Sequence, residues 1–292
     1  LSLNSKTCKS GSIFFAIKGK NYNGNKFIEE AIARGAKTII NKKFEGFKGN
    51  VLFLKHNNPR HLMAIAANNF FESKVSNLIG VTGTNGKSSI ADFYVQILNL
   101  NNLKSASIGT LGVKYEGLKV QTKNTTLDII STNKIFKKLS LKNIKNIIME
   151  ASSHGLHQHR LDGIKFDIGI FTNLSRDHLD YHKTYKNYLN SKLILFKKLM
   201  KKKGLVIFDK SIKEAKLINN LVNRHKLNKF IIGEKKYLKV IDHKYFNNNQ
   251  QIKITFKNKI YSLKTKLIGK VQIKNLLMAV VAANKVLPIE KI

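Results

Sequence analysis

Leu78-Ile79-Gly80-Val81-Thr82-Gly83-Thr84-Asn85-Gly86-Lys87-Ser88-Ser89 reads as an apolar strand that runs into a glycine loop. A helical pattern through Asp92, Tyr94, Ile97 and Leu98 follows. At a strand–loop–helix junction the loop amides and the positive end of the helix dipole converge, which makes an anion site. Lys87 adds a mobile charge for terminal phosphates, and the Ser88 hydroxyl is placed to join a magnesium shell. The expected ligand is ATP, or another nucleoside triphosphate, with Mg2+. Val81 stands where the general spacing G-x-x-x-x-G-K-[ST] has its first glycine, so the loop is a tighter variant. An ordinary strand-to-helix turn is the alternative.

Outward from this loop, 292 residues with 42% apolar side chains allow one large domain or two ordinary ones. A single cysteine, Cys8, excludes an internal disulfide and suits a reducing cytoplasm. No apolar run approaches the roughly 18 residues of a membrane helix, and the polar opening Leu1 to Lys6 lacks a signal peptide's core. A soluble, cytoplasmic protein is expected, acting as a monomer without a membrane partner. The formal charge of +36 invites a nucleic-acid reading. Against it, lysine is spread over the whole length, only five arginines occur (Arg34, Arg60, Arg160, Arg176, Arg224), and no nucleic-acid-binding signature is present. A Lys, Asn, Ile and Phe habit such as an AT-rich genome imposes explains the charge, which can still draw in an anionic substrate.

Residues 1–76 read as a small α/β domain. Its apolar runs are Ile13 to Ile17, Thr38 to Ile40 and Val51 to Leu54, with helices at Lys26 to Arg34 and Arg60 to Phe71. Residues 77–292 read as a second domain whose strands alternate with helices, which implies a mainly parallel sheet. Its candidate strands are Leu78 to Thr82, Ser105 to Ile108, Ile144 to Glu150, Asp167 to Phe171, Leu205 to Phe208 and Phe230 to Ile232. Runs at Tyr237 to Val240, Ile252 to Phe256 and Ile260 to Leu263, with a polar turn at Asn247 to Gln250, form a small antiparallel appendage. A last helix runs through Val286.

Ligands bind beyond the carboxyl ends of such parallel strands, and polar residues collect there. Asn124-Thr125-Thr126 precedes a helix near Leu127 and by itself reads as a cap. Glu150 closes an apolar strand, as a magnesium ligand or a solvated strand end. The histidines at 154, 157 and 159 lack zinc spacing. Thr172 to His182 is densely polar after the fourth strand. Lys192 lies on a helix from about Thr184 to Met200 and is unremarkable by itself.

Several of these strings resemble the Mur ligases. Thr82 to Lys87 resembles the ATP loop of that family and of the related folylpolyglutamate synthetases. Glu150 to Arg160 is similar to the signature Glu-x-Ser-Ser-His-Gly-Leu-x-Gln-His-Arg of the MurE type, which adds the third peptide residue. Asn173 to Asp180 resembles the family's Asn-Leu-x-x-Asp-His-Leu-Asp, and Gly11 to Gly24, with Asn4-Ser5-Lys6 ahead of it, resembles the UDP-binding N-terminal domain. The family usually has Asp-Ser-Arg where this chain has Asn4-Ser5-Lys6.

The resemblance implies ATP-dependent amide ligation in peptidoglycan synthesis, extending UDP-MurNAc-L-Ala-D-Glu by diaminopimelate or L-lysine. It implies ATP contacts at Gly83, Thr84, Asn85, Gly86, Lys87, Ser88, Ser89 and Asn275, with Gln272 replacing a common asparagine. It places Leu3, Ser5, Lys20, Asn21 and Tyr22 near the uridine diphosphate, although a plain surface turn is the other reading of Lys20 to Tyr22. Asn124, Thr125, Thr126, Ser152, Gln158 and Arg160 would hold the muramoyl dipeptide. Glu150 and His178 would bind magnesium, with a carbamylated Lys192 at a second ion, while Asp177 and Asp180 orient neighbours. The family's third, amino-acid-binding domain would lie beyond Ile292; with Leu rather than Met at the start, a fragment with incomplete turnover is expected. A folylpolyglutamate synthetase-like ligase and a basic nucleic-acid-binding ATPase are the rival expectations.

Overall fold

The computed structural model describes residues 1–19, 23–122, 124–246 and 249–292. They divide into two units, one of Leu1–Lys74 with Leu127–Lys138 and Gln158–Ile164, the other of Val75–Thr126, Leu139–His157 and Lys165–Ile292. The first unit therefore gathers two segments from far along the chain, which sequence order alone does not suggest.

In the first unit, β1 (Ser12–Phe15), α1 (Ile28–Ala33), β2 (Ala36–Asn41), β3 (Gly46–Lys48), β4 (Val51–Lys55) and α2 (Pro59–Phe71) follow in order. The sheet order is β1-β2-β4-β3, parallel except for β3. Phe14, Ala31, Ile39, Val51 and Phe53 fill its core, together with the free thiol Cys8. The start of α2 is set locally, since Asn58 caps it by accepting the His61 amide and Pro59 occupies the first turn, where no amide partner is needed.

The second unit runs β5 (Asn77–Thr82), α3 (Lys87–Leu100), β6 (Ser105–Gly109), β7 (Gly112–Tyr115), β8 (Leu118–Val120), α4 (Ile129–Leu141, grouped with the first unit up to Lys138), β9 (Asn146–Glu150), α5 (Ser153–His157) and β10 (Phe166–Phe171). It continues through α6 (Leu179–His182), α7 (Tyr185–Lys198), β11 (Met200–Asp209), α8 (Ala215–Arg224), β12 (Asn228–Ile232), β13 (Leu238–Phe246), β14 (Asn249–Phe256), β15 (Lys259–Thr265) and α9 (Lys270–Ala283). Among the described residues these strands form one eleven-stranded sheet, β15-β14-β13-β12-β11-β10-β5-β9-β6-β7-β8.

The six strands from β12 to β6 are parallel, as the strand–helix alternation predicts. Every residue of β5 is buried, which explains its unbroken apolar run: a central parallel strand is covered on both faces. The antiparallel strands β13, β14 and β15 form the expected appendage, and they continue the large sheet. β13 joins β12 through a parallel pair, Ile232 with Leu238, and β7–β8 extends the opposite edge without having been anticipated. The expected turn at 247–250 is shorter, because Asn249 and Gln250 already belong to β14; Asn247 and Asn248 lie outside the described residues. α9 packs chiefly on α3, and Ile273, Leu277, Met278 and Val281 join the core that covers this face of the sheet.

Candidate active site

β5 lies between β9 and β10; its own connection runs to β6 on one side, whereas that of β10 runs to β11 on the other, and such a switch point opens a crevice at the carboxyl ends of the strands. The loop after β5 therefore falls between the segment following Glu150 and the segment following Phe171. Two cross-strand bonds hold both flanks, Ala151 N to Val81 O at 2.8 Å and Thr172 N to Thr82 O at 3.0 Å.

The loop's shape depends on these neighbours. Thr84 N donates to Asn173 O and Asn85 N to Asn173 Oδ1, both at 3.0 Å. Thr172 Oγ1 donates to Asn85 O at 2.6 Å, and Ser175 N to Thr84 Oγ1 at 3.0 Å. Gly86 has φ +87°, and a Cβ on it would stand 2.6 Å from Asn275 Oδ1. The resemblance implies an ATP contact at Asn275; in this geometry its amide lies against the loop's second glycine.

Ser88 Oγ donates to Glu150 Oε1 at 2.8 Å. Glu150 is 2% exposed, and its other bonds come from the Thr110 amide (2.9 Å) and hydroxyl (3.2 Å). A buried carboxylate served by neutral donors, beside a hydroxyl, presents hard oxygens of the kind magnesium takes. Among the described residues no group of three or more His, Cys, Asp or Glu side chains could hold a metal by itself.

Lys87 and Lys192 form the site's cationic half. Lys87 Nζ donates to the carbonyls of Gly83 (2.9 Å) and Thr84 (2.8 Å), and burial lowers its pKa against the opposing pull of Glu150 and Asp177. Lys192 is 1% exposed, and its Nζ reaches the same Gly83 carbonyl at 2.7 Å. Burial, with the charge of Lys87, pushes it down to about 7. The Tyr188 ring lies 4.3 Å from this Nζ, and the Tyr188 hydroxyl meets Thr84 Oγ1 at 3.1 Å.

His178 stands apart from the Ser88–Glu150 pair in its contacts. Its Nε2 is 3.4 Å from Asp177 Oδ2, and its ring packs edge-on against His154 at 4.9 Å. His154, His157 and His182 surround Tyr181. His182 is buried and pushed down to about 4, first by burial and then by the neighbouring histidines and Lys192.

Thr126 Oγ1 donates to Glu150 O (2.8 Å) and meets Ser152 Oγ at 3.0 Å, while Thr125 Oγ1 meets Thr110 Oγ1 at 3.1 Å. Asn124 is exposed. The cap at the start of α4 is a different residue, Asp128, whose Oδ1 accepts the amides of Ile130 and Ser131 at 3.0 Å. The Asn124–Thr126 stretch thus ties the second and third strand ends together and leaves capping to Asp128.

Gln158 and Arg160 belong to the first unit, where Gln158 Oε1 accepts Arg160 Nε (3.1 Å) and Nη2 (2.8 Å). In that unit a cavity of about 580 Å³ is lined by Leu3, Asn4, Ser5, Lys6, Phe27 and Arg60 among others. Asn4 caps the Ser5–Thr7 turn by accepting the Lys6 amide at 3.0 Å, and Ser5 Oγ donates to Glu30 Oε2 at 2.7 Å. Lys20, Asn21 and Tyr22 lie outside the described residues.

Sequence reasoning missed Thr110 and Tyr188, and marked Thr172 and Asn173 only as members of a polar stretch without a role. The rule that polar groups beyond parallel strands face the site would have found Thr110. Tyr188 carries no such signal, because its role comes only from the packing of α7.

Residues 81–283 match the model of the Mur ligase middle domain, and residues 1–71 that of the Mur ligase family catalytic domain. A Rickettsia montanensis protein named UDP-N-acetylmuramoyl-L-alanyl-D-glutamate--2,6-diaminopimelate ligase is 39% identical over 291 residues, 97% of this chain and 60% of that protein. A solved structure of a ligase of the same name has a TM-score of 0.87 at 25% identity, covering 99% of this chain and 60% of that one. The fold is also that of a Thermotoga maritima MurF ligase solved with ADP, with a TM-score of 0.64 at 17% identity over 97% of this chain and 62% of that one. The chain spans about 60% of the length of the curated relatives it matches.

Proposed function

The chain belongs to the Mur ligase family, and we propose that it carries the nucleotide and acceptor sites of an ATP-dependent ligase that extends UDP-MurNAc-L-Ala-D-Glu by diaminopimelate. The choice of diaminopimelate over L-lysine follows the names of the relatives. The reading assigns residues 1–76 to the uridine diphosphate end of the substrate and residues 77–292 to ATP, in a cytoplasmic monomer without a specific nucleic-acid partner.

The observation that carries it is the glycine loop after β5, flanked by the Ser88–Glu150 pair and by two lysines on one loop carbonyl. Loop amides and Lys87 would take the triphosphate. Transfer of the terminal phosphoryl group to the D-glutamate side-chain carboxylate breaks the bond to ADP and makes an acyl phosphate. The incoming amine then attacks the carbonyl carbon, and phosphate leaves from a tetrahedral intermediate as the amine sheds its proton. Asn124 to Thr126, Ser152, Gln158 and Arg160 would hold the carboxylate in line, since little of this chemistry needs more than positioning and charge compensation.

Magnesium, with Ser88 and Glu150 as its fitting ligands and His178 as a further one, would supply neutralisation of phosphate charge. Lys192 would bear the carbamate: neutral amine adds to the carbon of carbon dioxide and releases a proton, turning a cation into an anionic ligand for a second ion. The buried, proton-poor amine supports this reading.

Thermal unfolding with candidate ligands tests the substrate class. Stabilisation by UDP-MurNAc-L-Ala-D-Glu and not by folate is expected, because a ligand that binds only the native state raises its stability. Protection by folate alone would favour the folylpolyglutamate alternative.

A further inference from the structure

Arg60 stands at the second position of α2, half-buried, directly after Pro59. A cation there meets the positive end of the helix dipole, and no acidic residue in the first turn offsets it. Burial disfavours its charge, Asp162 acts in the opposite sense, and the charge of Arg160 adds to the penalty. Nη1 donates to Gln158 O at 3.2 Å and Nη2 to Lys18 O at 3.4 Å. Two carbonyls use only part of a guanidinium's five donors, and among the described residues Arg60 forms no ion pair. A partly desolvated fork with spare donors, whose acidic neighbour Asp162 makes no direct ion pair with it, is poised for an anion.

The same side chain lines the 580 Å³ cavity of the first unit. Leu3 and Phe27 give that cavity apolar walls, Asn4 and Ser5 give it polar groups, and Lys6 is its other cation. Apolar wall, hydroxyl and paired cations suit a nucleobase followed by phosphates. The Gln158 carbonyl that Arg60 holds belongs to the residue whose side chain orients Arg160, so one guanidinium serves both the cavity and the acceptor loop.

We infer that Arg60 is a specificity-determining residue, recognising the diphosphate of the uridine nucleotide in this cavity while it anchors the chain at Lys18 and Gln158. The inference rests on the proposed reading that the first unit binds the nucleotide sugar.

Calorimetric titration of the 292-residue chain, with the phosphate loop saturated by a magnesium complex of a non-hydrolysable ATP analogue, tests it. The probes are UDP, uridine and inorganic pyrophosphate. Arg60→Gln is expected to lose roughly tenfold to a hundredfold in UDP affinity and to keep its uridine affinity, the loss typical of one charge-assisted bond. Arg60→Lys falls between, because an ammonium keeps the charge without the fork. Unchanged ATP-analogue affinity and unfolding temperature verify the fold.

Equal UDP affinity in Arg60→Gln and wild type overturns the inference and leaves the nucleotide-sugar reading standing. So does an equal proportional loss for UDP and uridine, which marks a purely structural clamp. Arg60-dependent binding of pyrophosphate without binding of uridine keeps the anion site and removes the uridine reading. A wild type that binds neither UDP nor pyrophosphate overturns it outright. If Arg60→Gln does not fold, Arg60→Lys decides, and unchanged UDP affinity there overturns the inference.

Discussion

Two ammonium groups share one acceptor in this protein, since Lys87 and Lys192 both reach the Gly83 carbonyl. Their mutual repulsion adds to burial in lowering the Lys192 pKa to about 7, against an ordinary 10.5. Over the interval between these values the unfolded chain holds a proton that the native state does not, so this group's contribution makes stability rise with pH from 7 toward 10.5. In the proposed reading, the same shift would let Lys192 take up carbon dioxide near neutrality. With dissolved 13C-labelled carbon dioxide held constant, the carbamate resonance lost in Lys192→Met should build up at lower pH than the carbamates of exposed lysines, because this amine is neutral at lower pH. A midpoint close to that of exposed lysines would remove the reason for assigning the modification to this residue. In the proposed reading Lys87 has the other role, as the mobile charge for terminal phosphates. Lys87→Ala should lower ATP-dependent acyl phosphate formation by about a hundredfold or more, the order of loss when one preorganised electrostatic contact is removed. A variant that retains this activity would overturn the site assignment.

At the scale of elements, the glycine loop is a shape imposed by its neighbours. The segment from Thr172 to Ser175 binds two consecutive loop residues, through the amide and hydroxyl of Thr84 and the amide and carbonyl of Asn85, so β10 and the loop after β5 form one device. Gly86→Ala places a side chain at φ +87° and drives a Cβ against Asn275. Left-handed backbone costs a non-glycine residue about 1–2 kcal/mol before the clash is added. Chemical denaturation should show a loss of at least about 1 kcal/mol, and titration should show weaker ATP binding, with α3 displaced from α9. Stability and affinity equal to wild type would mean that Asn275 gives way freely.

For the whole molecule, a charge of +36 with 17 acidic residues gives a net positive field that attracts anions. Screening shortens that field to about 8 Å at physiological ionic strength. Association rates for ATP and for UDP-MurNAc-L-Ala-D-Glu should therefore fall steeply between low and physiological salt, with dissociation rates changing little. Salt-independent association, measured by stopped flow, would show that the lysines are electrostatically idle. Among the described residues no helix is long and apolar enough to cross a membrane.

The strands of the large sheet and the phosphate loop were legible in the sequence because each is a local signal. A buried parallel strand reads as an unbroken apolar run, and a glycine loop before a helix reads as an anion site wherever it occurs. Asn58 and Thr184, which cap α2 and α7, are equally local. Short elements such as β7, β8, α5 and α6 left no periodicity long enough to detect. Tertiary structure alone decided which of many lysines is buried against Gly83, that Thr110 and Ser88 serve Glu150, and that Arg60 lies in a cavity with Ser5. Desolvation and hydrogen-bond geometry depend on residues tens of positions away, so chemistry that arises from burial becomes visible only when the chain has closed around it.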